Sequence, residues 1–177
     1  MTLILGIDPG SRATGYGVIE AVGNRLRYVA CGCIRTTGDD HPQRLRMIFE
    51  GLGAVIEEFS PQECAIEEVF LGKSVSSALK LGQARGSALV ACMTRDLPVS
   101  EYTARTVKQS VTGSGAGDKL QVQHMVRVLL GLRGKLQADA ADALAIAICH
   151  ANTRDSLIKV AAASGFRRGR YSSTTGT

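Results

Sequence analysis

The 177 residues predict a single α/β domain, a five-stranded mixed sheet flanked by helices on both faces. Three observations lead there. Three apolar segments follow one another at the N-terminus with only short turns between them, the pattern of an antiparallel meander. Two later apolar segments each follow a stretch of helical periodicity, and the first of them lies parallel to the opening strand if that helix is its crossover. The remainder then carries three helical stretches.

Residues 2–8 read as a buried strand, and Gly10, Gly15 and Gly17 punctuate a tight turn into a second strand at residues 16–20. Gly23-Asn24 is the turn before a third, residues 26–34. Asp39-Asp40-His41-Pro42 opens a helix whose apolar positions Leu45, Ile48, Leu52, Val55, Ile56 and Phe59 keep helical spacing, and Ser60-Pro61 ends it. Residues 64–69 form the fourth strand. Residues 74–95 form a long helix capped by Ser74 or Ser76. On it Ala78, Gly82 and Gly86 recur every four residues. Glycine inside a helix costs roughly 1 kcal/mol against alanine, so something should approach that stripe closely, either the sheet or the same helix of a second copy. Residues 97–100 make a short fifth strand, followed by helices at 103–110, 118–131 and 138–152, the first two joined by the flexible segment 113–117. Residues 1–155 are the domain. Residues 156–177 are a basic tail, with Arg167, Arg168 and Arg170 ahead of Ser172-Ser173-Thr174-Thr175, disordered by composition from Ser164.

Composition narrows the setting. No apolar run approaches the ~20 residues of a membrane-spanning helix, and no basic region precedes the first apolar run as in a signal peptide. Both point to a cytoplasmic protein. Five scattered cysteines without a C-x-x-C pair fit reduced thiols, with Cys31 and Cys33 read as core. The three histidines have no zinc-ligand spacing. Twenty-one Lys+Arg against sixteen Asp+Glu favour a polyanionic partner.

Four acids stand out. Asp8 and Glu67 close apolar strands, and Asp139 and Asp142 open an apolar helix. Each has an ordinary explanation: an Asx-turn before Pro9-Gly10 for Asp8, a strand-end acid for Glu67, complementation of the helix dipole for Asp139 and Asp142. Together they say more, because strands 2–8 and 64–69 as parallel neighbours put both acids at one sheet end, and residues three apart share a helix face. Carboxylates so close repel one another unless a cation joins them. Oxygen-only ligation suits Mg²⁺ or Mn²⁺, and two such ions about 4 Å apart support in-line phosphoryl displacement.

The segment Gly6-Ile7-Asp8-Pro9-Gly10-Ser11-Arg12-Ala13-Thr14-Gly15-Tyr16-Gly17 closely resembles the opening of the RuvC family of bacterial Holliday-junction resolvases. So do residues 65–70, 77–86 and 137–145, in order and at family spacing, over about residues 2–152. The resemblance implies a ribonuclease-H-like fold, a homodimer, and symmetric nicking of two opposed strands of a four-way DNA junction that leaves ligatable 5′-phosphate and 3′-hydroxyl ends. It implies Mg²⁺, two ions per site with Mn²⁺ able to substitute, and cooperation with the branch-migration proteins RuvA and RuvB. Asp8, Glu67, Asp139 and Asp142 match the family's acidic tetrad as catalytic and metal-binding residues. Glu68 adjoins Glu67 but points to the other sheet face of a strand.

The resemblance also sets Phe70 at the junction centre, where an aromatic stacks on an unpaired base. Lys73, Lys80, Arg85, Lys108 and Lys119 are the candidate phosphate contacts, with Lys108 and Lys119 matching basic positions near the family's active site. The Ala78, Gly82, Gly86 stripe is the candidate dimer interface. Nucleotide binding is excluded at residues 113–119, where Asp118 precedes Lys119 and Leu120 stands where a phosphate loop needs Ser or Thr. An actin-like ATP-binding half shares the Asp-x-Gly turn but needs two domains. A non-catalytic nucleic-acid module would not need the intact acid set.

Overall fold

The computed structural model describes residues 1–69 and 74–168. Five strands, β1 (Thr2–Asp8), β2 (Ala13–Val22), β3 (Arg25–Arg35), β4 (Glu63–Glu67) and β5 (Val99–Tyr102), form one sheet in the order β3-β2-β1-β4-β5. The first three pair antiparallel; β4 runs parallel to β1 and β5 parallel to β4. Helices α1 (His41–Phe59), α2 (Val75–Met93), α3 (Ala104–Thr112), α4 (Lys119–Leu130) and α5 (Ala138–Arg168) complete the domain.

Strand alternation divides the core in two. Leu5, Ile7, Val18, Cys64 and Ile66 pack under α1 and α2 through residues such as Ile48, Leu52 and Ala88. Ile4, Ile19 and Ala65 face the other way, onto α5, with α3 and α4 closing that layer through Val107, Val111, Val122 and Val126. Helices therefore cover both faces, as the element order requires. Ser74 rather than Ser76 caps α2, accepting from the Ser77 N–H at 3.4 Å. Asp118 caps α4 in a reciprocal box with Gln121, which accounts for the acid ahead of Lys119.

α5 is the central helix. Residues 143–149 are each at most 1% exposed, so this stretch is apolar all round, as a helix segment enclosed on every side must be. It reaches the sheet because the strands beneath lack side chains. A Cβ on Gly6 of β1 would sit 2.1 Å from the Ala143 carbonyl oxygen. One on Gly15 of β2 would sit 2.1 Å from the Asp139 carbonyl oxygen, and one on Gly17 2.7 Å from the Leu144 side chain. Gly6 and Gly17 are cross-strand partners, so the bare patch is continuous.

Several boundaries differ from expectation for that reason and others. β2 begins at Ala13, not residue 16: Gly15 and Gly17 lie inside the strand, serving the close approach of α5 rather than a turn. β4 stops at Glu67, and β5 is displaced two residues toward Tyr102. α5 does not end near residue 152 but continues to Arg168, because the Leu157–Ala163 stretch holds good helix formers and no breaker. That helix enters the segment assigned to the tail; residues 169–177 lie outside the described residues. On α2, a Cβ at Gly82 or Gly86 meets nothing within 4 Å among the described residues, so the small-residue stripe does not pack on the sheet.

The two classes of glycine should respond oppositely to substitution. Gly15→Ala forces α5 from the sheet and is expected to lower stability by about 1–3 kcal/mol or more in urea denaturation. Gly82→Ala, with open space around it within the protomer and a helical backbone, should be neutral or stabilising by up to roughly 1 kcal/mol at protein concentrations low enough to keep the chain monomeric. Equal midpoints for the two variants would disprove the glycine-platform account.

Candidate active site

One row of residues crosses the whole sheet. Cys33 of β3 pairs with Gly15 of β2, and Gly15 with Asp8 of β1. The parallel register Ile7↔Ile66 continues by one residue to set Asp8 beside Glu67, which pairs with Tyr102 of β5. Asp8 and Glu67 share side-chain parity with Ile4 and Ala65, so both point toward α5. Gly15 leaves the gap in the row, and into it comes the backbone of Asp139. Asp142, one turn along α5, faces the same place. Three chain segments thus bring four carboxylates to one end of the sheet, none of them sealed from solvent.

Their proximity is written in their electrostatics. Asp8 is pushed up to about 7, first by burial and then by Asp142, Glu67 and Asp139, with Lys119 opposing. Glu67 is raised by burial and by Asp142, while a hydrogen bond from Asp8 and the charges of Lys108 and Lys119 pull it down. Uptake of a proton is thus one way in which this crowding is relieved. Lys119 supplies the other compensation. Its ammonium lies 2.8 Å from Asp142 Oδ2, and that contact raises the lysine against the opposing effect of burial. Lys108 of α3 joins Glu67, Lys119 and Asp142 around a cavity of ≈ 210 Å³ floored by Val107 and Val122.

Among the described residues no three Asp, Glu, His or Cys side chains close on a single point as a finished ligand shell. Asp142 is turned to Lys119, so one of the four carboxylates is engaged otherwise. The donor set itself, carboxylate oxygens with no imidazole, suits a hard divalent cation, and the excess negative charge is what such an ion would neutralise.

The remaining sequence candidates fall into three groups. Lys80 is exposed on α2 and Lys108 half-buried at the cavity. Arg85 is turned inward. Its Nε donates to the Glu67 carbonyl oxygen at 3.0 Å, its Nη2 is ion-paired with Glu101, and its side chain is 18% exposed. Of the basic candidates among the described residues it is the one least placed to meet a phosphate. Phe70 and Lys73 lie outside the described residues. Cys33 was missed as a neighbour of the site: its thiol faces Asp139 Oδ2 at 3.7 Å, and burial with the charge of Asp139 raises it. Strand alternation alone gave it a core place; only the register through Gly15 brings it to the acids.

A family model described as crossover junction endodeoxyribonuclease RuvC matches residues 4–150. A protein of that name from Photobacterium profundum is 64% identical over 172 residues, covering 97% of this chain and 99% of that one. One from Vibrio cholerae is 59% identical over 172 residues, with coverages of 97% and 99%. Among solved structures, Thermus thermophilus RuvC in complex with a Holliday junction substrate superposes with a TM-score of 0.83 at 33% identity, covering 88% of this chain and 96% of that one. The yeast mitochondrial Holliday junction resolvase Ydc2 shares the fold, with a TM-score of 0.64 at 16% identity over 89% and 80% of the two chains.

The raised Asp8 makes stability depend on pH. The folded protein binds this proton more tightly than the unfolded chain, whose carboxyl titrates near 3.8. The stabilisation is complete below that value and is lost as pH rises through about 7, up to roughly 4 kcal/mol at ~1.4 kcal/mol per pH unit. In EDTA, chemical denaturation should show lower stability at pH 8 than at pH 5, and Asp8→Asn should remove most of the difference. Parallel pH profiles for the two proteins would refute the assignment.

Proposed function

Because the chain belongs to the RuvC family of crossover junction endodeoxyribonucleases, we propose that Asp8, Glu67, Asp139 and Asp142 are the groups with which it cuts DNA. The protein is an endonuclease that resolves Holliday junctions. It belongs among the divalent-metal-dependent nucleases. The observation that carries the site assignment is the meeting of four carboxylates from three segments beside two lysines, at an open end of the sheet.

In this reading the four carboxylates hold Mg²⁺, two ions per centre, with Mn²⁺ able to substitute. When bound, such ions activate a water and stabilise the leaving oxygen of an in-line displacement. The chain's own residues do the rest. Asp8, Glu67, Asp139 and Asp142 would supply the carboxylate oxygens that hold such ions. Asp142 is released from Lys119, whose ammonium is then free to turn to the scissile phosphate. Lys108, across the cavity, approaches the same phosphate from α3, and the pair stabilises charge developing on its oxygens. Cleavage of the P–O3′ bond leaves a 5′-phosphate and a 3′-hydroxyl. Phe70, stacking on a base at the junction centre, and Lys73 and Lys80, on phosphates, complete the substrate contacts that the family resemblance implies.

A two-fold substrate calls for a two-fold enzyme, so that one active site addresses each of the two opposed strands. The outer face of α2 supports a homodimer. Val75, Leu79, Val90 and Met93 are all more than half exposed, and with Gly82 and Gly86 they form one stripe at spacings of three and four, beside the half-buried Ala78. Among the described residues nothing covers the two glycines, and small residues let two such helices approach closely. RuvA and RuvB are the partners the family implies, and five free cysteines fit work in a reducing cytoplasm. Among the described residues no helix is long and apolar enough to cross a membrane.

Two experiments test this reading. Asp8→Asn should bind a synthetic four-way junction with near-normal affinity and leave it uncut in Mg²⁺; robust cleavage by that variant removes Asp8 from the chemistry. The double substitution of Gly82 and Gly86 by Arg should yield a folded monomer in sedimentation that no longer makes paired nicks. A dimer that persists would place the interface elsewhere.

A further inference from the structure

The geometry points to Arg85 as a positioning residue for Glu67, acting through the backbone from the opposite face of the sheet. The inference rests on the reading of Glu67 as catalytic and adds how that carboxylate is held. Glu67 is the last residue of β4. On the β5 side the chain is still tied, since the Glu68 N–H donates to the Tyr102 carbonyl at 2.8 Å. The Glu67 carbonyl is taken by Arg85 Nε at 3.0 Å. A half-buried strand-end carbonyl without a donor would cost a desolvation penalty and leave the peptide free to rotate. The guanidinium fixes that peptide plane, and with it the direction in which the Glu67 side chain leaves the strand.

The guanidinium is itself fixed. Its Nη2 is ion-paired with Glu101 of β5, and Glu101 is in register with Ile66, the residue before Glu67. One side chain from α2 therefore spans the end of β4 and fastens to the neighbouring strand. Only a planar fork serves both acceptors at once; an ammonium at the same position reaches one or the other. Parity excludes a direct role. Glu67 points toward α5, whereas Arg85 comes from α2, beneath the other face. Arg85 thus lies on the far side of the sheet from the reacting phosphate. It sits one residue from Gly86 on the helix proposed as the dimer contact, which ties the end of β4 to that helix.

The test separates positioning from phosphate binding and from mere stabilisation. In the full-length protein, Arg85→Ala and Glu101→Ala should each lower kcat at saturating junction by roughly tenfold or more, the scale on which sub-ångström misplacement acts. Junction Kd should stay within about twofold, with an unchanged salt slope. Glu101→Gln, which keeps an acceptor, should recover part of the loss, and Arg85→Lys should not. Two results overturn the inference. One is weakened binding with a salt slope reduced by about one and normal kcat in Arg85→Ala, the signature of a phosphate contact. The other is a kcat loss in both alanine variants that vanishes on cooling well below their melting temperatures, the signature of global destabilisation. Glu67→Gln, run alongside, tests the underlying reading separately: if it cuts normally, Glu67 is not catalytic whatever Arg85 does.

Discussion

The contact on which this molecule depends is backbone against backbone. Gly6, Gly15 and Gly17 present α5 with peptide surface where most sheets present side chains. The helix therefore comes down onto β1 and β2 instead of riding on a layer of aliphatic groups. Asp139 is thereby laid into the row of Asp8 and Glu67, and Asp142 follows one turn later. Substituents of even one carbon at Gly15 would lift the helix start, and the helix start carries half of the carboxylates. Packing and chemistry are fixed by the same absence of a Cβ.

The cost of that arrangement is concentrated charge. Four carboxylates at one sheet end repel: burial and three acidic neighbours push Asp8 up, and the Lys119 ammonium offsets Asp142. A centre so crowded with negative charge favours the arrival of positive charge. Such local frustration persists because the surroundings over-determine it: the stretch of α5 that follows Asp142 is fully buried, and core layers on both sides of the sheet hold β1 and β4 in register.

Much of this was legible in the sequence. Apolar periodicity placed all five strands and five helices, and the parallel arrangement expected of two strands is what singled out Asp8 and Glu67 together. Parity chose Glu67 over Glu68. What was not legible depended on register and on third dimensions. Gly15 and Gly17 read as turn residues because the usual signal of glycine is local, whereas here its reason is a helix more than a hundred residues away. Cys33 looked like core for the same cause. The stripe on α2 was ambiguous between sheet and partner, since periodicity gives a face but not what lies opposite it. The end of α5 was missed because basic and polar residues near the C-terminus outweighed a run of alanines.

Charge was the least readable quantity, and the structure explains why. The excess of Lys+Arg suggested DNA, and Arg85 was counted toward it. Yet five of the arginines are paired with acids of the chain itself: Arg27 with Glu20, Arg46 with Glu50, Arg85 with Glu101, Arg95 with Glu57 and Arg154 with Glu63. A guanidinium that joins two elements through a planar fork serves as a brace, and its charge is offset where it stands. Lys80 and Lys108 form no ion pair among the described residues, and Lys119 pairs only with an acid of the site. An ammonium on a flexible stem is the better group for following a phosphate that arrives with the substrate. The division follows from side-chain chemistry: a planar fork suits a fixed pair of acceptors, while a point charge on a flexible stem suits an acceptor that comes and goes.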